Sequence, residues 1–181
     1  MTKPRHRADL FLDPAVDPRE NGAPVGDERA TLVEFLRYQR LTLRIKCEGL
    51  DAEQLARRAV EPSTMSLLGL VRHLADVERV WFRRRFAGQD VPTRYQTADE
   101  PDGDFDGAVA DQAVADEAFA AWREEIAFAE RFAADTELDF VGHDGSVRSL
   151  RELLVHMIEE YARHNGHADL LRERIDGRIG E

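Results

Sequence analysis

The chain has 181 residues, which is one domain or a domain with a tail. Hydrophobic residues at 43% suffice for a core and exclude wholesale disorder, while 34% charged against 8% aromatic residues favours helices. The balance of 25 basic against 36 acidic side chains, net −11, repels phosphate backbones and argues against nucleic-acid binding.

The start, Met1-Thr2-Lys3-Pro4-Arg5-His6-Arg7, looks like a basic leader, but acids interrupt Ala8-Asp9-Leu10-Phe11-Leu12-Asp13 before any apolar stretch develops. No signal peptide is expected, and no window nears the ~20 apolar residues of a membrane span. Cys47 is the only cysteine, which excludes an intrachain disulfide and a cysteine-based zinc cluster. A soluble, reducing, cytoplasmic setting is expected.

Residues 1–26 carry four of the seven prolines, Pro4, Pro14, Pro18 and Pro24, and no helical period. They read as an extended N-terminal arm, lying on the domain or loose, ahead of a domain over 27–181. From Asp27, Leu32, Phe35, Leu36, Leu43 and Cys47 recur at three- and four-residue steps until Gly49, predicting a helix over 27–48. Asp51-Ala52-Glu53-Gln54 has capping-box spacing and opens a short helical turn. Ser66 starts a second long helix, 66–87, with Leu70, His73, Val77, Val80 and Trp81 as its inner stripe and Gly88 as its stop.

Residues 88–115 form a long acidic connection without clear period. A third long helix is predicted over 116–134, with Phe119, Trp122, Ile126, Ala129 and Phe132 inward. Asp139 to Val147 is a short excursion with an Asp144-Gly145 turn, of the kind that closes a small hairpin. Ser149-Leu150-Arg151-Glu152 is a capping box that opens a fourth helix, 149–175. Four long helices with one long crossover predict an all-α, up-down four-helix bundle.

Asp102, Asp104, Asp106 and Gly107 match the opening of a calcium loop, but its twelfth position, which needs a bidentate carboxylate, is Ala113. The stretch reads as a solvated acidic loop. Arg83, Arg84 and Arg85 fall in the last turn of their helix, where cations complement the carbonyl dipole. Cys47, on an apolar face, reads as a core residue.

The histidines of the fourth helix stand apart. At about 100° per residue, His156, Glu160, His164 and His167 fall within an arc of about 80° that Leu153 and Leu171 continue. A face pointing into the bundle carries four ionisable groups only if their desolvation is offset, and a metal would do so. Glu160 and His164, at i and i+4, can converge on one ion. The third donor must come from another helix, where His73 is the inward histidine. His167 could instead pair with His164 at i+3, and a buried polar network without metal is the alternative. Three donors leave a coordination position open, as catalytic sites do. A zinc-protease His-Glu-x-x-His is absent, no Glu is followed three positions later by His as in di-iron bundles, and no Ser-His-Asp or Cys-His triad has a credible nucleophile.

At these residues the chain resembles the DinB-like (DinB/YfiT) metal-binding four-helix bundles, in their actinobacterial mini-circle-protein branch. The likeness covers roughly 27–177. It rests on Asp27-Glu28-Arg29, Gly49-Leu50, Ser66-Leu67-Leu68-Gly69-Leu70-Val71-Arg72-His73-Leu74, Glu78, Trp81-Phe82 and Glu160-Tyr161-Ala162-Arg163-His164-Asn165-Gly166-His167-Ala168-Asp169-Leu170-Leu171-Arg172. The resemblance implies a divalent metal, zinc or nickel, held by His73, Glu160 and His164, with Glu160 where many relatives have histidine. His156, His167 and Trp81 then support the ligands or touch substrate, and no catalytic side chain is assigned.

It also implies a metal-dependent thiol transferase, in which a low-molecular-weight thiol such as mycothiol is bound to the ion as thiolate and attacks a small electrophile. A free thiol has a pKa of about 8.5, and coordination deprotonates it. The isomerases among the relatives carry a further C-terminal domain, whereas this chain stops soon after Asp176-Gly177, so transfer is expected. The implied partners are a small-molecule thiol and an electrophile, with a homodimer as the compatible assembly and neither nucleic acid nor membrane. A non-catalytic metal-binding bundle and a metal-water hydrolase with His156 or His167 as proton carrier are the competing readings.

Overall fold

The computed structural model describes residues 11–22, 26–143 and 148–180. Among them the regular elements are helical, apart from one isolated antiparallel bridge between Val141 and Ser149. The Asp144-Gly145 turn lies outside the described residues. In chain order the helices are α1 (Glu28–Cys47), α2 (Ala52–Ala56), α3 (Leu67–Glu78), α4 (Gly103–Asp106), α5 (Gln112–Asp135) and α6 (Leu150–Asp176). No described helix is long and apolar enough to cross a membrane.

Each long helix begins at a short polar side chain that satisfies a free backbone N–H of the first turn. Asp27 accepts from Ala30, Ser66 from Gly69 and Asp111 from Ala113. Ser149 and Glu152 complete a reciprocal capping box, as Asp51 and Gln54 do at α2. Helix α6 ends at Gly177, whose φ of 77° suits the left-handed cap.

Helix α3 does not stop at Glu78 but continues as a π-helix over Arg79–Phe86, where Ala87 N–H donates to the Phe82 carbonyl five residues back. The wider turn ends the 3.6-residue period on which the inner stripe of 66–87 was read. Phe82 and Phe86 are buried, whereas Val77, Val80 and Trp81 are half-buried. Phe35 likewise departs from expectation, with 59% of its surface exposed.

Helix α1 packs on α6, and α3 packs on α5 and α6. The apolar core is drawn from all four, including Leu43, Leu70, Leu74, Trp122, Leu153 and Met157. One polar network crosses it. Arg40 of α1 donates to both carboxylate oxygens of Glu78 of α3 at 2.7 and 2.8 Å. Tyr161 of α6 donates to Glu78 Oε1 at 2.9 Å, and Trp122 of α5 donates to the Tyr161 hydroxyl at 2.7 Å. All four side chains are buried, so each polar atom is satisfied by a partner on a different helix.

Residues 11–22 lie against this bundle. Arg19 donates to Thr42 of α1, and the Phe11 ring is buried beneath the cations of Lys46, Arg172 and Arg178. The connection from 88 to 111 is pinned rather than slack. The buried Asp76 carboxylate accepts the backbone N–H groups of Arg94, Tyr95 and Gln96. Arg79, Arg83 and Arg94 all reach Glu125 on α5, so Arg83 is an ion-pair partner and not a helix cap.

Candidate metal centre

Helix α3 contributes His73, and α6 contributes Glu160 and His164. One ligand atom from each lies within 4.8 Å of the others. Glu160 Oε1 sits 3.4 Å from His73 Nε2 and 3.2 Å from His164 Nε2, and the two imidazole centroids are 4.8 Å apart. All three residues are half-buried, so the face they share lies at the margin of the core instead of pointing into it as its sequence pattern suggests. The core face of α6 belongs to Leu153, Leu154, Met157, Tyr161 and Ala168.

The remaining candidates flank the three. His167 Nδ1 lies 3.3 Å from His164 Nδ1, the nitrogen of His164 that faces away from Glu160. His156 lies one turn before Glu160 and packs on Trp81 with ring centroids 4.6 Å apart. The cations of Arg85 and Arg148 lie over the same indole. Cys47 is buried elsewhere, in the core.

The connection from 88 to 111 supplies what the sequence reading missed. Asp102 and Asp106 are exposed, as a solvated acidic loop requires, but Asp104 between them is 0% exposed. Its Oδ2 lies 2.8 Å from His73 Nδ1 and accepts a second hydrogen bond from Gln96 Nε2 at 2.8 Å. The next residue, Phe105, stacks on the His73 ring with centroids 5.4 Å apart. Gly69 makes that approach fit, because a Cβ there would stand 2.7 Å from the Phe105 ring. The available signal was Phe105, an aromatic set between two aspartates, which needs somewhere to bury its ring.

The charges agree with the geometry. Burial opposes a proton on His73, but its hydrogen bonds to Asp104 and Glu160 outweigh that and push its pKa up to about 9. Hydrogen bonds from His164 and His73 hold the Glu160 carboxyl far below the usual carboxylate range. Burial pushes the His156 and His167 imidazoles down and favours their neutral forms.

This donor set suits a divalent ion. A carboxylate such as Asp104 can only accept, so His73 Nδ1 carries a hydrogen toward it, and Nε2, whose proton Glu160 accepts in the metal-free protein, is the nitrogen that a cation would take. Two imidazole nitrogens and one carboxylate oxygen make a ligand set used by zinc enzymes that keep a fourth position open. A cation among them would replace protons as the partner of Glu160.

A protein-family model described as mycothiol-S-transferase matches residues 31–177. Comparison with curated proteins gives no significant match. The matched span contains α1 through α6 almost entire, and with them His73, Asp104, Glu160 and His164.

Proposed function

The chain belongs to the mycothiol-S-transferase family, a DinB-like family, and on that premise we propose that it is a metal-dependent thiol transferase. The convergence of His73, Glu160 and His164 carries the reading. In it, α1, α3 with its π extension, α5 and α6 are the long helices of an up-down four-helix bundle, and residues 88–111 are its crossover. His73 Nε2, His164 Nε2 and a Glu160 oxygen hold a divalent ion, zinc or nickel. When bound, the ion supplies the charge that keeps a low-molecular-weight thiol such as mycothiol deprotonated at neutral pH.

The chain's own groups do the rest. The lone Cys47 is buried and its thiol is pushed up to about 12, chiefly by that burial, so the reacting sulfur comes from the small thiol. Neutral His167 stands beside His164, and neutral His156 with Trp81 forms a wall one turn along α6, where an electrophile would dock. No covalent bond to the protein is needed, because the thiolate sulfur would bond to the electrophilic carbon as that carbon's leaving group departs with its electron pair, or as a π bond opens and takes up a proton, and the conjugate then leaves. The experiment is paired. Purified protein is analysed for bound metal and assayed for conjugate formation between mycothiol and a panel of small electrophiles, alongside His73→Ala and His164→Ala. Metal-dependent conjugation lost in both variants supports the reading. Metal binding without conjugation favours a non-catalytic bundle, and thiol-independent hydrolysis favours a metal-water mechanism.

A further inference from the structure

We propose that Asp104, held by Gln96, is a positioning residue that fixes the ring orientation and tautomer of the metal ligand His73. The proposal rests on the metal reading above. Its starting point is an expense without another purpose. A carboxylate with no exposed surface costs stability unless its oxygens are fully engaged. Asp104 does not cap its own helix, since the residue at that position is Asp102 and its side chain makes no capping bond. Nor is the carboxylate the partner of the neighbouring Arg72 guanidinium. Arg72 Nε donates instead to the main-chain oxygen of Asp104, and its Nη2 to that of Gly103.

The carboxylate is committed to the imidazole. Oδ2 faces His73 Nδ1, Gln96 steadies the same oxygen, and Oδ1 accepts the Phe105 N–H at 2.9 Å. The support extends outward, because Gln96 belongs to the 94–96 segment whose backbone is gripped by Asp76. Phe105 and the Asp104 carboxylate therefore hold the ring by its face and by its distal nitrogen. A carboxylate in this position fixes which nitrogen is free to ligate and raises its basicity, and loss of such a partner commonly weakens metal binding about 10- to 100-fold.

The test uses the full chain, stripped of metal by chelation and then titrated with zinc against a chromophoric chelator. Asp104→Asn keeps the volume but removes the charge, and is expected to weaken zinc binding about 10- to 100-fold. Helical circular dichroism should be retained, and the visible spectrum of the cobalt-loaded protein should change, a signature that a purely structural role would leave unmoved. Gln96→Ala should weaken zinc in the same direction by less. Zinc affinity of Asp104→Asn within about twofold of the parent, with an unchanged cobalt spectrum, overturns the proposal. Should Asp104→Asn fail to fold, Gln96→Ala decides, since it leaves the buried carboxylate in place; weakened zinc supports the proposal and unchanged zinc overturns it. A parent that binds no zinc or cobalt overturns this proposal and the metal reading together. A parent whose zinc is lost in His73→Ala but retained unchanged in Asp104→Asn overturns this one alone.

Discussion

Replacing Tyr161 by Phe removes one oxygen from the network that joins the four long helices, and the cost can be worked from its partners. The ring keeps its volume, so no cavity term arises. Two hydrogen bonds are lost, one accepted from Trp122 at 2.7 Å and one donated to Glu78 at 2.9 Å. The Trp122 N–H is left buried without a partner, which costs about 1–3 kcal/mol. A hydrogen bond to a charged group is worth about 1.5–3 kcal/mol, but Arg40 still binds both Glu78 oxygens and offsets part of its loss. A net destabilisation of about 2–4 kcal/mol is expected, a large share of a typical domain's stability. The assay is urea unfolding of metal-free protein, in which the midpoint should fall while the slope is unchanged. Zinc affinity should weaken as well, since the hydrogen bonds of Tyr161 help fix the rotation of α6 that brings Glu160 to His73. A loss below about 0.5 kcal/mol would mean that the network is not what satisfies these atoms, and the account of the core would be wrong.

Three further outcomes follow from the same structure. His73→Ala and His164→Ala should be metal-poor yet keep the helical dichroism of the parent, because apolar side chains from all four long helices build the core; outright unfolding of both would make the site structural. In metal-free protein the His73 pKa stands near 9, against an ordinary 6.5, so folding is favoured by its proton. That stabilisation is complete below about pH 6.5 and is lost as the pH rises through about 9; the urea midpoint should fall across this interval, and His73→Ala should flatten the fall. Cys47, buried and with its thiol pushed up to about 12, should react with a maleimide only as fast as the chain unfolds, and rapid labelling of folded protein would show that it is not a core residue.

The helices were legible where cap and period agreed. Ser149 with Glu152 and Ser66 before Leu67 are strong local signals, and the observed starts fall within a residue of the expected ones. Helix α5 begins at Gln112 instead of 116 because Asp111 caps it, and a single Asp among many acids gave no period to read. Beyond Glu78 the reading failed for a physical reason, since a π segment advances each side chain by a different angle and moves Phe82 and Phe86 to the core side. The chemistry on α6 was legible as a cluster of ionisable groups, but its surroundings were not. Periodicity cannot separate a face that enters the core from one that stays half-buried at its margin. Asp104 was invisible because its partner, His73, is 31 residues away and reached through a connection without regular period.

The His73, Glu160 and His164 cluster depends on the core through adjacent residues. Glu160 and Tyr161 are neighbours on α6, one facing His73 and the other locked to Glu78 and Trp122. On α3, His73 faces Glu160 while Asp76 anchors the connection from 88 to 111 and Glu78 closes the core network. The rotation about its own axis of each helix that carries these donors is therefore set by buried hydrogen bonds within about one turn of them. A slip by one residue would turn a helix by about 100°, separating Glu160 from His73 and burying charge without partners. That penalty gives a physical use to a buried ionic network in a helical core, where apolar side chains of equal volume could supply comparable stability but not the same register. The connection from 88 to 111 adds a second constraint at His73 itself, through Phe105 on the ring face and Asp104 on Nδ1. Two helices registered by the core and one ring oriented by the 88–111 connection bring three donor atoms within 4.8 Å of one another.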